Sequence, residues 1–136
     1  MYSEIYSMAS TKNSQFLYIS DMQGHIKRIN IKLMTIDQQY GKLGGSATFC
    51  LKLNIDESKL FLSSDQSLKA ISPSDGKIIK DFGKVHNDTI HSITFSNDGK
   101  ILFTSDMDGN LKEWSVPDLI MLKDHGVVTG GQWINS

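Results

Sequence analysis

Cysteine is nearly absent. Cys50 is the only one in 136 residues, so no internal disulfide can form and a zinc-ribbon framework is excluded. Proline occurs twice, and there are no Pro-rich or Ser-rich linkers or low-complexity segments. An excess of one charge is missing too. Fourteen basic against fifteen acidic side chains leave a net charge of −1, which gives no support for long-range attraction to nucleic acid or to an anionic membrane. No apolar run approaches the ~20 residues of a membrane span. The first ten residues, MYSEIYSMAS, lack the basic and apolar regions of a secretory signal. The cytoplasm is the expected compartment, with the nucleus equally compatible. A convincing helical stripe is also missing.

What the chain has instead is repetition. The stretches HIKRI, SLKAI and NLKEW end at Ile29, Ile71 and Trp114, spaced by 42 and 43 residues. Apolar runs over 15–20, 59–64 and 100–105 precede them in step. Between run and stretch stand DMQG and DMDG in the outer copies, and a shorter Asp65-Gln66 turn in the middle one. First turns fall at 12–14, 56–58 and 97–99, and fourth strands are predicted over 35–40, 77–82 and 119–122. The third copy is the clearest, with strands predicted over 89–95, 101–105 and 111–115. Four short antiparallel strands in about 40 residues are the footprint of one propeller blade. Continuous apolar runs such as Ile101-Leu102-Phe103 suit strands covered on both faces. The predicted fold is therefore all-β: a single domain over 1–136, an arc of about three four-stranded blades. Their bounds are about 3–43, 44–85 and 86–125, with a further C-terminal strand over 126–133 that starts a fourth unit or latches a ring.

Residues 86–114 resemble a WD repeat of the β-propeller family. Trp114 lies in the third strand, Asp108 six residues before it, Thr104 four before that, and His86 opens the unit. Ser115 follows Trp114 where the family's name-giving Asp would stand; the first two units carry Ile29 and Ile71 for the Trp, and Gly44 falls near the middle unit's histidine position. The resemblance implies a structural hydrogen-bond relay of His86, Thr104, Asp108 and Trp114. In it Asp108 accepts from His86, His86 bonds the Thr104 hydroxyl, and Trp114 contributes its indole N–H. It also implies rings of six to eight blades. Three cannot close, which leaves open faces and edges. The expected remedies are further blades of a longer chain, self-association, or another subunit.

The chemical candidates have structural explanations. His86, Thr104 and Asp108 are the residue types of a hydrolase triad, but no nucleophile-elbow sequence is present and Thr104 is mid-strand. Residues 104–115 partly mimic a calcium loop, without the final Glu or flanking helices. The four histidines do not cluster by spacing, and Cys50 sits in an apolar strand as a buried thiol. Asn87-Asp88-Thr89 matches a glycosylation acceptor that has no secretory context. The basic groups Lys27, Arg28, Lys32 and Lys77, Lys80, Lys84 read as solvated edges. No nucleotide signature is found, and GKLGG lacks the GKS or GKT ending of a phosphate loop. No catalytic residue, cofactor or metal is expected.

The expected function is a non-catalytic scaffold for protein or peptide partners, because loops on a rigid frame are where recognition residues sit. The resemblance places the binding rim at the inter-blade loops and the second-to-third-strand turns. These carry Met22, Gln23, Lys84, Asn87, Asp88, Asp106 and Met107, with the two methionines as adaptable contacts. The alternatives are an enzymatic or cofactor-binding propeller of quinoprotein-like or hydrolase type, and a purely structural module.

Overall fold

A computed structural model describes residues 4–43 and 48–128, by backbone alone at 48 and 49. Among these residues every regular element is a strand. The first sheet holds β1 (Ile5–Ser10), β2 (Phe16–Asp21), β3 (His25–Asn30) and β4 (Thr35–Lys42). The second holds β5 (Thr48–Leu53), β6 (Leu60–Ser64), β7 (Ser67–Ile71) and β8 (Ile78–Lys84). The third holds β9 (Ile90–Phe95), β10 (Ile101–Asp106), β11 (Asn110–Ser115) and β12 (Met121–Val127). Each sheet is an antiparallel meander in chain order. The fold is thus the all-β, three-bladed arc that the repeat predicts.

Strand register fixes which residues are equivalent. Tyr18 pairs with Arg28, Phe61 with Ala70, and Phe103 with Glu113. One residue further, Ile19 pairs with Lys27, Leu62 with Lys69, and Thr104 with Lys112. The lysine of each third strand therefore holds the same place in every blade.

The first strands bring the sheets together: β1 lies against β5, and β5 against β9. Side chains alternate across a strand, so the middle blade has two faces to bury. Leu51, Leu60, Leu62 and Ile71 pack on Tyr18 and Ile26 of the first blade. Phe61, Leu68 and Ala70 point the other way, against Ile90, Ile93, Leu102 and Trp114 of the third. Every residue of β6 is buried for this reason, which explains its unbroken LFLSS run. Each large side chain so covered contributes about 1.5–3 kcal/mol.

The fourth strands run further than predicted. Each passes through a bulge at a positive-φ glycine, Gly41 (82°), Gly83 (70°) or Gly126 (66°), and then pairs onward with the third strand. An aromatic or imidazole ring precedes each one, as Tyr40, Phe82 or His125. In the third blade the strand also starts later, at Met121 and not at 119. Leu119 has φ 56°, in the left-handed region, so it belongs to the preceding turn. Of the predicted C-terminal strand over 126–133, the first two residues end β12, and 129–133 lie outside the described residues. Gly44 also lies outside them.

Arg28 and Lys80 are not solvated edges. Arg28 is bound to Asp37, lies 4.3 Å from the Phe16 ring centroid and donates to the Pro73 carbonyl of the next blade. Lys80 reaches the Leu119 carbonyl at 2.5 Å. Each stem lies beside an aromatic ring and each charged head reaches a carbonyl of the next blade, in Arg28 in addition to its bond with Asp37, so these cations join blades.

Candidate functional site: a braced loop and its rim

The loop between the second and third blades opens with His86, whose side chain is fully buried. Its Nδ1 lies 2.9 Å from Asp106 Oδ2, and its Nε2 lies 2.8 Å from Thr104 Oγ1. The Trp114 indole N–H donates to the same hydroxyl at 2.9 Å. One arrangement of protons satisfies all of these bonds. The indole donates to Thr104, Thr104 donates to His86 Nε2, and His86 Nδ1–H donates to the Asp106 carboxylate. The imidazole is then neutral and its tautomer is fixed by its neighbours.

The acid of this relay is Asp106, not Asp108. Asp106 ends β10 two residues after Thr104, so both side chains share the face that meets His86. Its other oxygen accepts the backbone N–H groups of Asp108 and Asn110, each at 3.0 Å. Asp108 lies two residues into the turn and is exposed. There the charge of Asp88 pushes its carboxyl above the ordinary value. The internal repeat carries the signal for this assignment. Asp21 is the first-blade equivalent of Asp106, and it accepts the N–H groups of Gln23 and His25 at 2.9 Å in the same way. The Asp shared by DMQG and DMDG is the first residue of the turn, whereas Asp108 stands opposite Gln23.

The same finding takes Asp106 out of the exposed rim, since it is 0% accessible. The other candidates do lie at one end of the sheets, where second strands end and inter-blade loops begin. Met22, Gln23, Lys84 and Asn87 are exposed, and Asp88 and Met107 are half-buried. The Gln66 side chain donates to the Asn87 carbonyl at 3.2 Å, and the Met107 N–H donates to the Thr89 carbonyl at 3.2 Å. The rim loop is therefore pinned to the turns on both sides. A hydrolase triad does not fit, because Thr104 and the His86 side chain are sealed from solvent. Cys50 is half-buried, burial pushes its thiol up, and its Sγ lies 3.6 Å from the His91 carbonyl. Among the described residues no three His, Cys, Asp or Glu side chains converge as metal ligands would.

Burial lowers the affinity of His86 for a proton, outweighing the pull of Asp106, and its pKa falls below the ordinary 6.5. Burial also works against the Asp106 carboxylate. The Asn110 N–H and His86 more than offset it, and the pKa falls below 3.8. The two effects have the same sign. As pH falls through 6.5, the unfolded chain protonates His86 before the folded one does, so stability declines. Asp106 adds a further decline as pH falls below its ordinary value. Thermal melts followed by circular dichroism should show a falling melting temperature between about pH 7 and about pH 5. His86→Gln should flatten that slope relative to the parent; equal slopes would sink the linkage.

Comparison with known proteins agrees with this geometry. The family model for the WD domain, G-beta repeat (WD40) matches residues 76–115. No curated protein sequence matches the chain. The crystal structure of the RRP9 WD40 repeats superposes with a TM-score of 0.81 at 14% identity, over 91% of this chain and 39% of that one. U3-55K gives 0.83 at 13% identity, over 95% and 41%. Hydrazine synthase of Kuenenia stuttgartiensis gives 0.78 at 11% identity, over 93% and 37%. The chain thus spans about two fifths of the length of these structures, and at these identities the likeness is one of fold. The WD40 repeat model is matched over residues 76–115, and the chain as a whole has the fold of a three-bladed stretch of the WD40 propellers it superposes on.

Proposed function

We propose that this chain is a non-catalytic scaffold that binds proteins or peptides through the rim formed by Met22, Gln23, Lys84, Asn87, Asp88 and Met107. The supporting observation is the buried brace beneath the rim: His86 fixes the loop that presents Asn87 and Asp88. Preorganised loops lose little entropy when a partner docks, and the two methionines adapt their shape to it. The open blade faces are completed by further blades, by self-association or by another subunit. An enzymatic propeller is disfavoured by the sealed His86–Thr104 pair.

The test is a random-peptide display library panned on the purified chain. Enriched peptides should lose at least tenfold in affinity for a Met22→Ser, Gln23→Ala, Lys84→Ala, Asn87→Ala variant whose melting temperature equals the parent's. Peptides that bind this variant undiminished, or a library that yields none, would favour the purely structural module.

A further inference from the structure

Among the described residues, the rule that builds both blade junctions leaves one donor and one acceptor over. In the second blade Lys69 reaches back and donates to the Leu43 carbonyl of the first at 2.5 Å. In the third blade Lys112 donates likewise to the Val85 carbonyl of the second. Leu43 and Val85 are equivalent. Each follows its fourth strand, and each N–H is tied to the turn before its third strand, on the Gly24 and Gln66 carbonyls. Val128 is the third member of that series, with its N–H on the Gly109 carbonyl at 3.0 Å. Lys27 is the third member of the lysine series. Among the described residues no blade stands beyond Lys27 or beyond Val128, and no carbonyl receives Lys27.

Shape points the same way. The turn between third and fourth strands has a positive-φ residue in every blade, at Met34, Gly76 and Leu119. At both junctions this residue rests on the blade before. A Cβ on Gly76 would lie 2.2 Å from Tyr40 Cδ1, and Leu119 is buried in the cluster that Phe82 packs against. Tyr40 and Phe82 continue as His125, while Met34 is left 76% exposed. The faces themselves correspond. Met8 is 59% exposed where Leu51, its counterpart, is 2%. Leu17, Ile19 and Ile29 repeat the buried Leu60, Leu62 and Ile71, and on the far side Phe103 and Leu111 repeat Phe61 and Leu68. Glu113, bound to His125 within its own blade, adds a carboxylate to the far face, opposite in charge to Lys27.

We infer that the outward face of the first blade docks on the outward face of the third blade of a second copy of this chain, with Lys27 donating to the Val128 carbonyl and Met34 lying on His125. The inference rests on the blade junctions and is independent of what the rim binds. Such a head-to-tail contact, used twice, closes a ring of two copies if the rotation per blade allows, and otherwise propagates as an open chain.

Light scattering on the purified chain should give a defined dimer, or a concentration-dependent series if the ring stays open; both carry the contact. Met8→Asp and Lys27→Met should each weaken association at least tenfold without altering the strand signal in circular dichroism, while Lys77→Met, an exposed lysine on the middle blade, should not. In a Cys50→Ser background, a short bismaleimide should link Lys27→Cys chains to Val128→Cys chains in a mixture, and neither variant to itself. A monomer at all concentrations that melts cooperatively would overturn the inference, in favour of blades from a longer chain or from a different protein. A dimer indifferent to Met8→Asp, or one that lacks the cross-link, would overturn it as well.

Discussion

Replacing Asp106 with alanine is expected to lower the unfolding free energy by about 3–5 kcal/mol, since it strips the acceptor from one buried and several half-buried donors at once. The donors are His86 Nδ1 and the backbone N–H groups of Asp108 and Asn110, joined by the Asn110 side chain at 3.1 Å. Against a total stability of about 5–15 kcal/mol for a typical domain, this leaves little margin. Asp108→Ala should leave the melting temperature unchanged or raise it slightly, because Asp108 is exposed and repelled by Asp88. Asp106→Asn should fall between the two. Its amide oxygen can still accept the turn N–H groups, but the NH2 that replaces the other carboxylate oxygen cannot accept the N–H of His86. Urea unfolding of the three variants decides the matter. Equal destabilisation by Asp106→Ala and Asp108→Ala would refute the assignment of the relay.

Much of the arc was legible because blades repeat and errors average out across copies. The spacing of Ile29, Ile71 and Trp114 placed the third strands within a residue. The unbroken apolar runs suggested two covered faces for both β6 and β10; β6 is buried throughout, whereas β10 leaves Ile101 and Phe103 half-buried, because among the described residues no blade covers its outer face. What escaped was whatever depends on one side chain's direction. Asp106 and Asp108 are both acids in one turn, and only the strand's alternation decides which carboxylate points inward. The extension of the fourth strands depends on a bulge that a period-2 reading treats as an end. Arg28 and Lys80 looked like solvent residues because the cross-blade acceptor of each is a carbonyl, and carbonyls leave no trace in sequence. The lysine shared by HIKRI, SLKAI and NLKEW was visible as a repeat. Its purpose emerged only when Lys69 and Lys112 were found reaching back to the same place on the blade before them.

A comparison of two equivalent phenylalanines measures what a covered blade face is worth. Phe61 is 1% exposed, between the second and third blades, with its ring 5.6 Å from that of Phe95 in an edge-to-face contact. Phe61→Ala should cost about 3–5 kcal/mol, the sum of lost transfer energy and an unfilled cavity. The middle sheet has little freedom to collapse into the gap, since its other face is already packed by Leu51, Leu60 and Leu62. Phe103 holds the same register position one blade on, yet it is only half-buried and faces outward. In dilute solution, with copies separated, Phe103→Ala should cost about 1 kcal/mol, well short of Phe61→Ala, because its ring is already partly in water. The two side chains are chemically identical and paired alike within their sheets, so the difference between the variants isolates the contribution of a neighbouring blade. Raising the concentration should then discriminate further. If a second copy covers the third blade, Phe103→Ala becomes costlier as the chain associates, while the penalty for Phe61→Ala does not move. Unfolding curves at two concentrations read both effects, and a Phe103 penalty as large as that of Phe61 in the separated chain would contradict the open face.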